Sequence, residues 1–180
     1  EEVRAAEQRR LTGAGAPDSV ADFEKAVLTA ASSSFVWIKY VAWHVSRGET
    51  EAARKVAERA LEAIHFREEG ERFNVWMAYL NLENMYGEPT PAEAVAKLFA
   101  RACQMTEAKK LHLGVAAMYE RTEQAEAAEA LLKAACRKFS MSAKVWLRHV
   151  ENLVKRGKGD AAKAVMDRSL QSLPRRKHIK

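Results

Sequence analysis

The chain has 180 residues, a formal net charge of +6 and 48% apolar residues, which is enough to build a core and excludes a chain disordered throughout. Thirty-three residues are alanine, whereas only eight are glycine and four are proline. Because alanine is the best helix former, this composition favours an all-α fold over a β-sandwich or barrel. No run approaches the roughly 18 apolar residues of a membrane-spanning helix.

Positive charge is concentrated in the last fifth of the chain. Residues 144–180 contain 11 Lys and Arg against three acidic residues, so the other 143 residues carry a net charge of −2. A clustered basic surface favours an anionic partner, either nucleic acid or an acidic protein segment. Lys and Arg that only solvate the outer faces of helices would give the same count, so both interpretations stay open.

The first segment of the chain lacks a sustained apolar period, and a run of glycine and alanine ends it at Pro17. We therefore expect residues 1–17 to form a flexible arm or linker. Ser19 can then cap a leading helix over residues 19–31, in which apolar residues recur at helical spacing.

The remaining chain repeats a unit of two helices. A Val-Trp pair opens three equivalent segments, at Trp37, Trp76 and Trp146, and an alanine-rich segment follows each of them. A fourth copy has His112 at the tryptophan position, and the unit starts lie 39, 36 and 34 residues apart. This period is the signature of an α-solenoid of antiparallel helix hairpins, which we predict over 18–180. The predicted repeats cover about 34–64, 74–105, 108–138 and 142–173.

Aromatic side chains on the first helices and alanines on the second helices form the predicted repeat core, because large rings need small partners. An arginine recurs at one position of the second helices. We expect its stem to pack along the hairpin and its guanidinium to bond a nearby carboxylate or carbonyl. The predicted core residues are Trp37, Tyr40, Trp76, Tyr79, Trp146, Arg59, Arg101 and Arg168.

Several strings resemble a known family. An aromatic pair spaced three apart, followed by an alanine-rich helix ending in Arg-Ala-Leu, resembles the half-a-TPR (HAT) repeat of RNA-processing assemblies. More specific strings resemble the C-terminal HAT region of the family of ribosomal RNA processing protein five, also called programmed cell death protein eleven. They are residues 33–40, 57–69, 74–76, 80–87 and 173–178.

This resemblance implies a location in the nucleolus of the nucleus and a role in early pre-rRNA processing and in small-subunit assembly, to which large-subunit assembly is the possible addition. It implies a non-catalytic scaffold that docks ribosome assembly factors within a pre-ribosomal particle, without a membrane or a small-molecule substrate. It also implies that the repeats continue beyond Lys180. Since the chain starts at Glu1 without methionine, we expect a fragment of a longer protein.

Six basic residues lie at the two ends of the last predicted hairpin, in loops that have no packing role. They are candidate contacts to RNA phosphates or to an acidic partner. Phosphate contacts give affinity without reading sequence, and no aromatic side chain lies among these residues to stack on bases. Direct pre-rRNA backbone binding is therefore the alternative function. The six residues are Lys155, Arg156, Lys158, Arg175, Arg176 and Lys177.

Phe66, Arg67, Asn81 and Asn84 are candidate protein contacts. Phe66 either plugs the joint between the first two repeats or is an exposed aromatic anchor for a partner. The two asparagines either bond the backbone of a partner peptide or bond the neighbouring repeat. A TPR-type peptide adaptor is a further alternative, although its clamp of Lys and Asn is represented by Lys39 and Asn81 alone.

The sequence contains no recognisable catalytic or metal-binding motif. The five histidines lack the spacing of metal ligands, and Gly157-Lys158-Gly159 lacks the strand and the full pattern of a phosphate loop. Cys103 and Cys136 occupy one repeat-core position, where we expect them to be inert. We therefore expect no enzyme activity, no cofactor and no metal.

Overall fold

The structure, a computed structural model, describes residues 17–174. Within that range every regular element is an α-helix and no strand is present. The predicted arm over residues 1–17 lies outside the described residues, except for Pro17. The helices are α1 (Val20–Thr29), α2 (Ser34–Ser46), α3 (Thr50–Ala63), α4 (Glu69–Tyr86), α5 (Pro91–Met105), α6 (Ala108–Arg121), α7 (Ala125–Lys138), α8 (Ala143–Lys155) and α9 (Gly159–Ser172).

The chain divides into two compact units, Glu1–Ala94 and Val95–Lys180, and the division falls inside α5. In the first unit α1 packs on α2, α2 on α3, and both α2 and α3 on α4. In the second unit α6 packs on α7, α7 on α8 and α8 on α9, while α6 also contacts α8. This order confirms the all-α, solenoid-type fold of consecutive helix hairpins predicted from the sequence.

Three of the hairpins close with three-residue turns in which the middle residue has a left-handed backbone. These residues are Gly48 (φ 74°), Glu123 (φ 59°) and Gly157 (φ 70°). Glycine takes this conformation without strain, whereas a residue with a Cβ does not. The sequence therefore supplies glycine in the first and last hairpins, and Glu123 is the exception.

The core of the first unit combines buried rings with alanines. Trp37 and Trp76 are 3% and 1% exposed, and Ala53 and Ala60 are fully buried. The Trp37 indole Nε1 donates a hydrogen bond of 2.8 Å to the carbonyl of Ala31. Burial of an indole therefore leaves its polar atom satisfied at this position.

An ion pair joins α3 to α4 inside the first unit. The Arg54 guanidinium donates to the Glu83 carboxylate at 2.6 Å, and it also donates to the Tyr86 carbonyl at 2.9 Å. Both side chains are largely buried. The hydrogen bond to Glu83 holds the pKa of Arg54 above its usual range, so the guanidinium stays charged.

Helix α4 begins at Glu69, five residues before the predicted repeat start at residue 74. Glu69 and Glu71 occupy its first turn, where acidic side chains interact favourably with the helix dipole. Glu71 also accepts hydrogen bonds from the backbone N–H (2.8 Å) and the hydroxyl (2.5 Å) of Ser34, at the start of α2. These contacts extend the helix beyond the apolar repeat pattern.

The second unit repeats the same packing with smaller aromatic content. Leu111, Val115, Leu132 and Val145 are at most 1% exposed. The Trp146 indole donates to the Ser140 carbonyl at 2.7 Å, which matches the bond that Trp37 makes to a carbonyl six residues earlier. No helix within residues 17–174 is long and apolar enough to cross a bilayer.

Candidate interaction surfaces

The described part of the basic cluster lies at the turn between α8 and α9. Lys155 and Lys158 are exposed, whereas Arg156 is half-buried. Arg156 donates to Glu126 at 2.8 Å and to Glu129 at 2.5 Å, and Lys158 Nζ lies 2.7 Å from Glu129. The hydrogen bond from Lys158 is the main reason that the pKa of Glu129 falls below its usual range. Arg156 and Lys158 therefore tie the fourth hairpin to α7.

The other half of the predicted cluster, Arg175, Arg176 and Lys177, lies outside the described residues. The structure thus brings Lys155, Arg156 and Lys158 together at one turn and describes no contact to the remaining three. Of those at the turn, Lys155 has an exposed side chain at the end of a helix, where a cation is favoured by the dipole.

Phe66 lies in the loop between α3 and α4 and is 67% exposed. The His65 ring lies 4.4 Å from the Phe66 ring, centroid to centroid, and the Arg67 guanidinium lies 5.6 Å from that centroid. Both neighbours restrict the ring without covering it. This exposure favours a contact with a partner over burial of Phe66 in the joint between repeats.

The two predicted asparagine contacts are half-buried on α4. The Asn81 amide Nδ2 donates to the Met77 carbonyl at 2.8 Å, one turn earlier on the same helix. Asn81 therefore bonds its own helix, and neither asparagine is placed beside Phe66 by a described contact.

The three recurring arginines have different surroundings. Arg59 makes two hydrogen bonds of 2.8 Å to the Glu24 carboxylate of α1, and its guanidinium lies 5.6 Å from the Trp37 ring centroid. The hydrogen bond from Arg59 is the largest cause of the lowered pKa of Glu24. All three arginines lie at exposed positions of their helices.

Two Cys–His contacts recur in the second unit, one half-buried at Cys103 and one buried at Cys136. Cys103 Sγ lies 4.0 Å from His112 Nδ1, and Cys136 Sγ lies 3.6 Å from His149 Nδ1. Burial raises the pKa of Cys136 to about 12 and lowers the pKa of both histidines. At neutral pH the thiol keeps its proton and the imidazoles are neutral, so these pairs lack the thiolate–imidazolium character of a nucleophile.

No group of three or more His, Cys, Asp or Glu side chains within residues 17–174 is arranged to hold a metal ion. His112 Nδ1 instead lies 2.6 Å from the Ala108 carbonyl, and the ring is packed edge-on against Phe99 and Phe139. This contact fixes the proton on Nδ1. His112 thus replaces the expected tryptophan as a packed core residue.

A groove between α6 and α8 contains residues that the sequence analysis did not single out. Its volume is about 600 Å³, and Leu113 and Leu147 supply its apolar surface. The signal in the sequence is the pair Lys109-Lys110 together with the spacing of Lys144, Leu147 and Arg148. The two walls of the groove belong to different hairpins. The count of charges over residues 144–180 therefore included the α8 wall and left out the α6 wall. Its charged lining residues are Glu107, Lys109, Lys110, Lys144, Arg148 and Glu151.

Comparison with known proteins gives a consistent set of relatives, although no protein-family model matches the chain. The chain is 47% identical over 178 residues to rRNA biogenesis protein RRP5 of Arabidopsis thaliana, covering 99% of the chain and 9% of that protein. It is 40% identical over 163 residues to Protein RRP5 homolog of Homo sapiens, covering 91% of the chain and 9% of that protein.

A fungal relative extends this range. The chain is 34% identical over 163 residues to rRNA biogenesis protein rrp5 of Schizosaccharomyces pombe, covering 91% of the chain and 10% of that protein. The chain therefore spans about a tenth of the length of these relatives. Over the stretch that it shares with them, this chain belongs to the RRP5 family of rRNA biogenesis proteins.

Proposed function

We propose that this chain is a non-catalytic docking module for ribosome biogenesis, acting in early pre-rRNA processing and subunit assembly in the nucleolus. The relatives at 34–47% identity, which are RRP5 proteins of rRNA biogenesis, support a role in that process. Helix-hairpin repeats supply extended surfaces for partners, and the described residues supply no arrangement suited to chemistry. Its partners are assembly factors within a pre-ribosomal particle.

The exposed ring of Phe66 is the observation that carries this proposal. Buried aromatic anchors dominate the affinity of protein interfaces, and a ring that is 67% exposed is available for a partner to bury. His65 and Arg67 both lie against the ring, and contacts that restrict a side chain before binding reduce the entropy that binding costs. Phe66 is therefore prepared to enter a pocket of an assembly factor.

Affinity purification from nuclear extract tests the proposal. The tagged chain, its Phe66→Ser variant and a Leu28→Ser control are compared by quantitative mass spectrometry. Leu28 is a matched control because it is 83% exposed in the same unit. We expect ribosome assembly factors to be enriched by the wild type and by Leu28→Ser, and to fall about tenfold with Phe66→Ser. Equal recovery by all three chains would remove Phe66 as the anchor, and absence of assembly factors would remove the docking function.

The alternative function, direct binding of the pre-rRNA backbone, rests on the basic excess near the end of the chain and on exposed Lys155. Pairing of Arg156 and Lys158 with Glu126 and Glu129 reduces the charge left for phosphates. Fluorescence anisotropy with structured RNA at several salt concentrations distinguishes the two functions. Backbone binding requires a log–log salt slope of about −3 or steeper, whereas docking alone requires no binding near physiological salt.

A further inference from the structure

The groove between α6 and α8 is a second candidate docking surface, and Phe66 is not part of it. Its volume of about 600 Å³ falls within the roughly 300–1,000 Å³ range of pockets that hold small ligands. Leu147 is 45% exposed in the middle of α8, and Leu113 is half-buried on the facing helix. Two leucines in a concave surface favour an apolar side chain of a ligand.

Charged residues surround this apolar strip, and basic ones predominate. The lining contains four basic and two acidic side chains, which gives it a net charge of +2. Lys109 and Lys110 stand on the α6 side, and Lys144 and Arg148 stand on the α8 side. A ligand that contacts both walls therefore meets positive charge on each, so anionic groups are favoured.

The basic residues have different roles in the groove. The Arg148 guanidinium binds Glu120 of α6 and lies 3.5 Å from Glu151, so Arg148 positions α8 against α6. Lys109 lies 3.2 Å from Glu107, but both side chains are about half exposed, and such pairs are weak. Lys109 can therefore exchange its partner for a carboxylate of a ligand. Lys144 is exposed on the opposite wall.

We infer that this groove binds an acidic peptide segment that carries an apolar side chain. The apolar side chain packs on Leu113 and Leu147, while the carboxylates contact Lys109 and Lys144. Single-stranded RNA fits less well, because no lining residue is aromatic and bases would find no ring to stack on. This inference rests on the proposed docking function for its biological role, and it names the chemistry of one partner.

Selection from a random peptide display library on the full chain tests the inference. We expect the enriched peptides to be acidic and to contain an apolar residue. Leu147→Ser and Lys144→Glu should bind them about tenfold more weakly, because each variant removes one of the two contacts. Lys163→Glu is the matched control, since Lys163 is exposed on α9 outside the groove lining. Circular dichroism checks that all variants fold, as expected for exposed positions.

Neutral or basic enriched peptides, equal binding by the groove variants, or a library without binders would each overturn the inference. A uridine homopolymer is the second probe, and Leu147-dependent binding of that RNA would also overturn it. The experiment separates the two proposals. Groove variants that lose the peptides but recover assembly factors leave both proposals standing as separate contacts. A wild type that recovers no assembly factors removes the docking function, while the peptide selection still decides whether the groove binds.

Discussion

Glu123 shows how one residue can depart from the pattern of its neighbours. It has the same left-handed backbone as Gly48 and Gly157, at the same place in a three-residue turn. A Cβ disfavours this conformation by about 1 kcal/mol. The hydrogen bond from the Gln124 N–H to the Tyr119 carbonyl (2.8 Å) fixes the turn despite that cost.

Glu123→Gly should therefore raise the free energy of unfolding by about 0.5–1 kcal/mol, because glycine adopts this backbone without strain. Gly48→Ala is the converse test. A Cβ at Gly48 would contact nothing within 4 Å, so its expected cost of about 1 kcal/mol comes from the backbone alone. Urea unfolding measures both variants. A Glu123→Gly protein less stable than the wild type would show that the Glu123 side chain stabilises the turn.

His112 and His149 make the stability of the second unit depend on pH. Burial is the largest cause of the lowered pKa of each, so the folded state disfavours the protonated imidazole. As pH falls below about 6.5, the unfolded chain binds protons that the folded chain does not, and stability is lost until pH passes the lowered folded values.

Urea unfolding at pH 7.5 and pH 5.5 tests this dependence. The wild type should be less stable at the lower pH, and a His112→Gln/His149→Gln variant should lose less on acidification. The pKa values of Glu24, Glu49 and Glu129 are lowered, so these carboxylates stay ionised between pH 7.5 and pH 5.5. What they contribute to the stability of the fold is lost only in stronger acid. Parallel pH dependence in both proteins would contradict the assignment.

At the scale of elements, α1 is attached to the first hairpin by a small set of contacts. The Phe23 ring stacks on Tyr40 at a centroid distance of 4.8 Å, and Phe23 is 4% exposed. Arg59 and Tyr40 both donate to the Glu24 carboxylate. The aromatic contacts of Phe23, the buried side chain of Val27 and the Glu24 carboxylate therefore hold this helix.

Phe23→Ala should detach α1 while the hairpin α2–α3 stays folded. Truncating a buried phenylalanine costs about 3–5 kcal/mol, and a ten-residue helix is marginal in water without its tertiary contacts. Hydrogen exchange should show loss of protection confined to α1. Leu28→Ala is the control, since Leu28 is 83% exposed and should leave protection unchanged. Protection lost throughout the first unit would show that α1 is integral to its core.

The sequence predicts the elements better than their contacts. The spacing of Trp37, Trp76 and Trp146 identifies hairpins because each tryptophan must meet alanines on the following helix. The partners of Arg156 are not visible in this way, because Glu126 and Glu129 lie 27–30 residues earlier and carry no repeat signal. The groove could not be predicted from the sequence either, because its two walls come from separate hairpins and no repeat signal connects them.

At the scale of the whole molecule, equivalent positions of the repeats differ in burial. Ala57 and Leu61 of α3 are 1% and 5% exposed, whereas Met166 and Leu170 occupy the same register of α9 and are 50% and 45% exposed. Helix α3 is followed by α4, which packs on it. The same repeat positions are therefore buried in the core on α3 and exposed at the surface on α9.

Leu61→Ser should accordingly destabilise the protein by about 3 kcal/mol or more, because it creates a cavity and buries a hydroxyl. Leu170→Ser should change stability by less than about 1 kcal/mol. Thermal and urea unfolding of the two variants provide the comparison. Equal losses would show that the exposed face of α9 is covered in solution.

Crosslinking of isolated pre-ribosomal particles that contain the tagged chain tests the central claim most directly. Lysine-directed protein crosslinking and ultraviolet RNA crosslinking are read by mass spectrometry from the same preparation. A protein-docking module predicts crosslinks from assembly factors to lysines within residues 17–174, and RNA adducts at background level in the same range. Crosslinks at Lys109 and Lys144 are expected in addition where the groove is one of the docking contacts. RNA adducts concentrated around Lys155 and Lys158, without protein crosslinks, would contradict the account and favour direct binding of pre-rRNA.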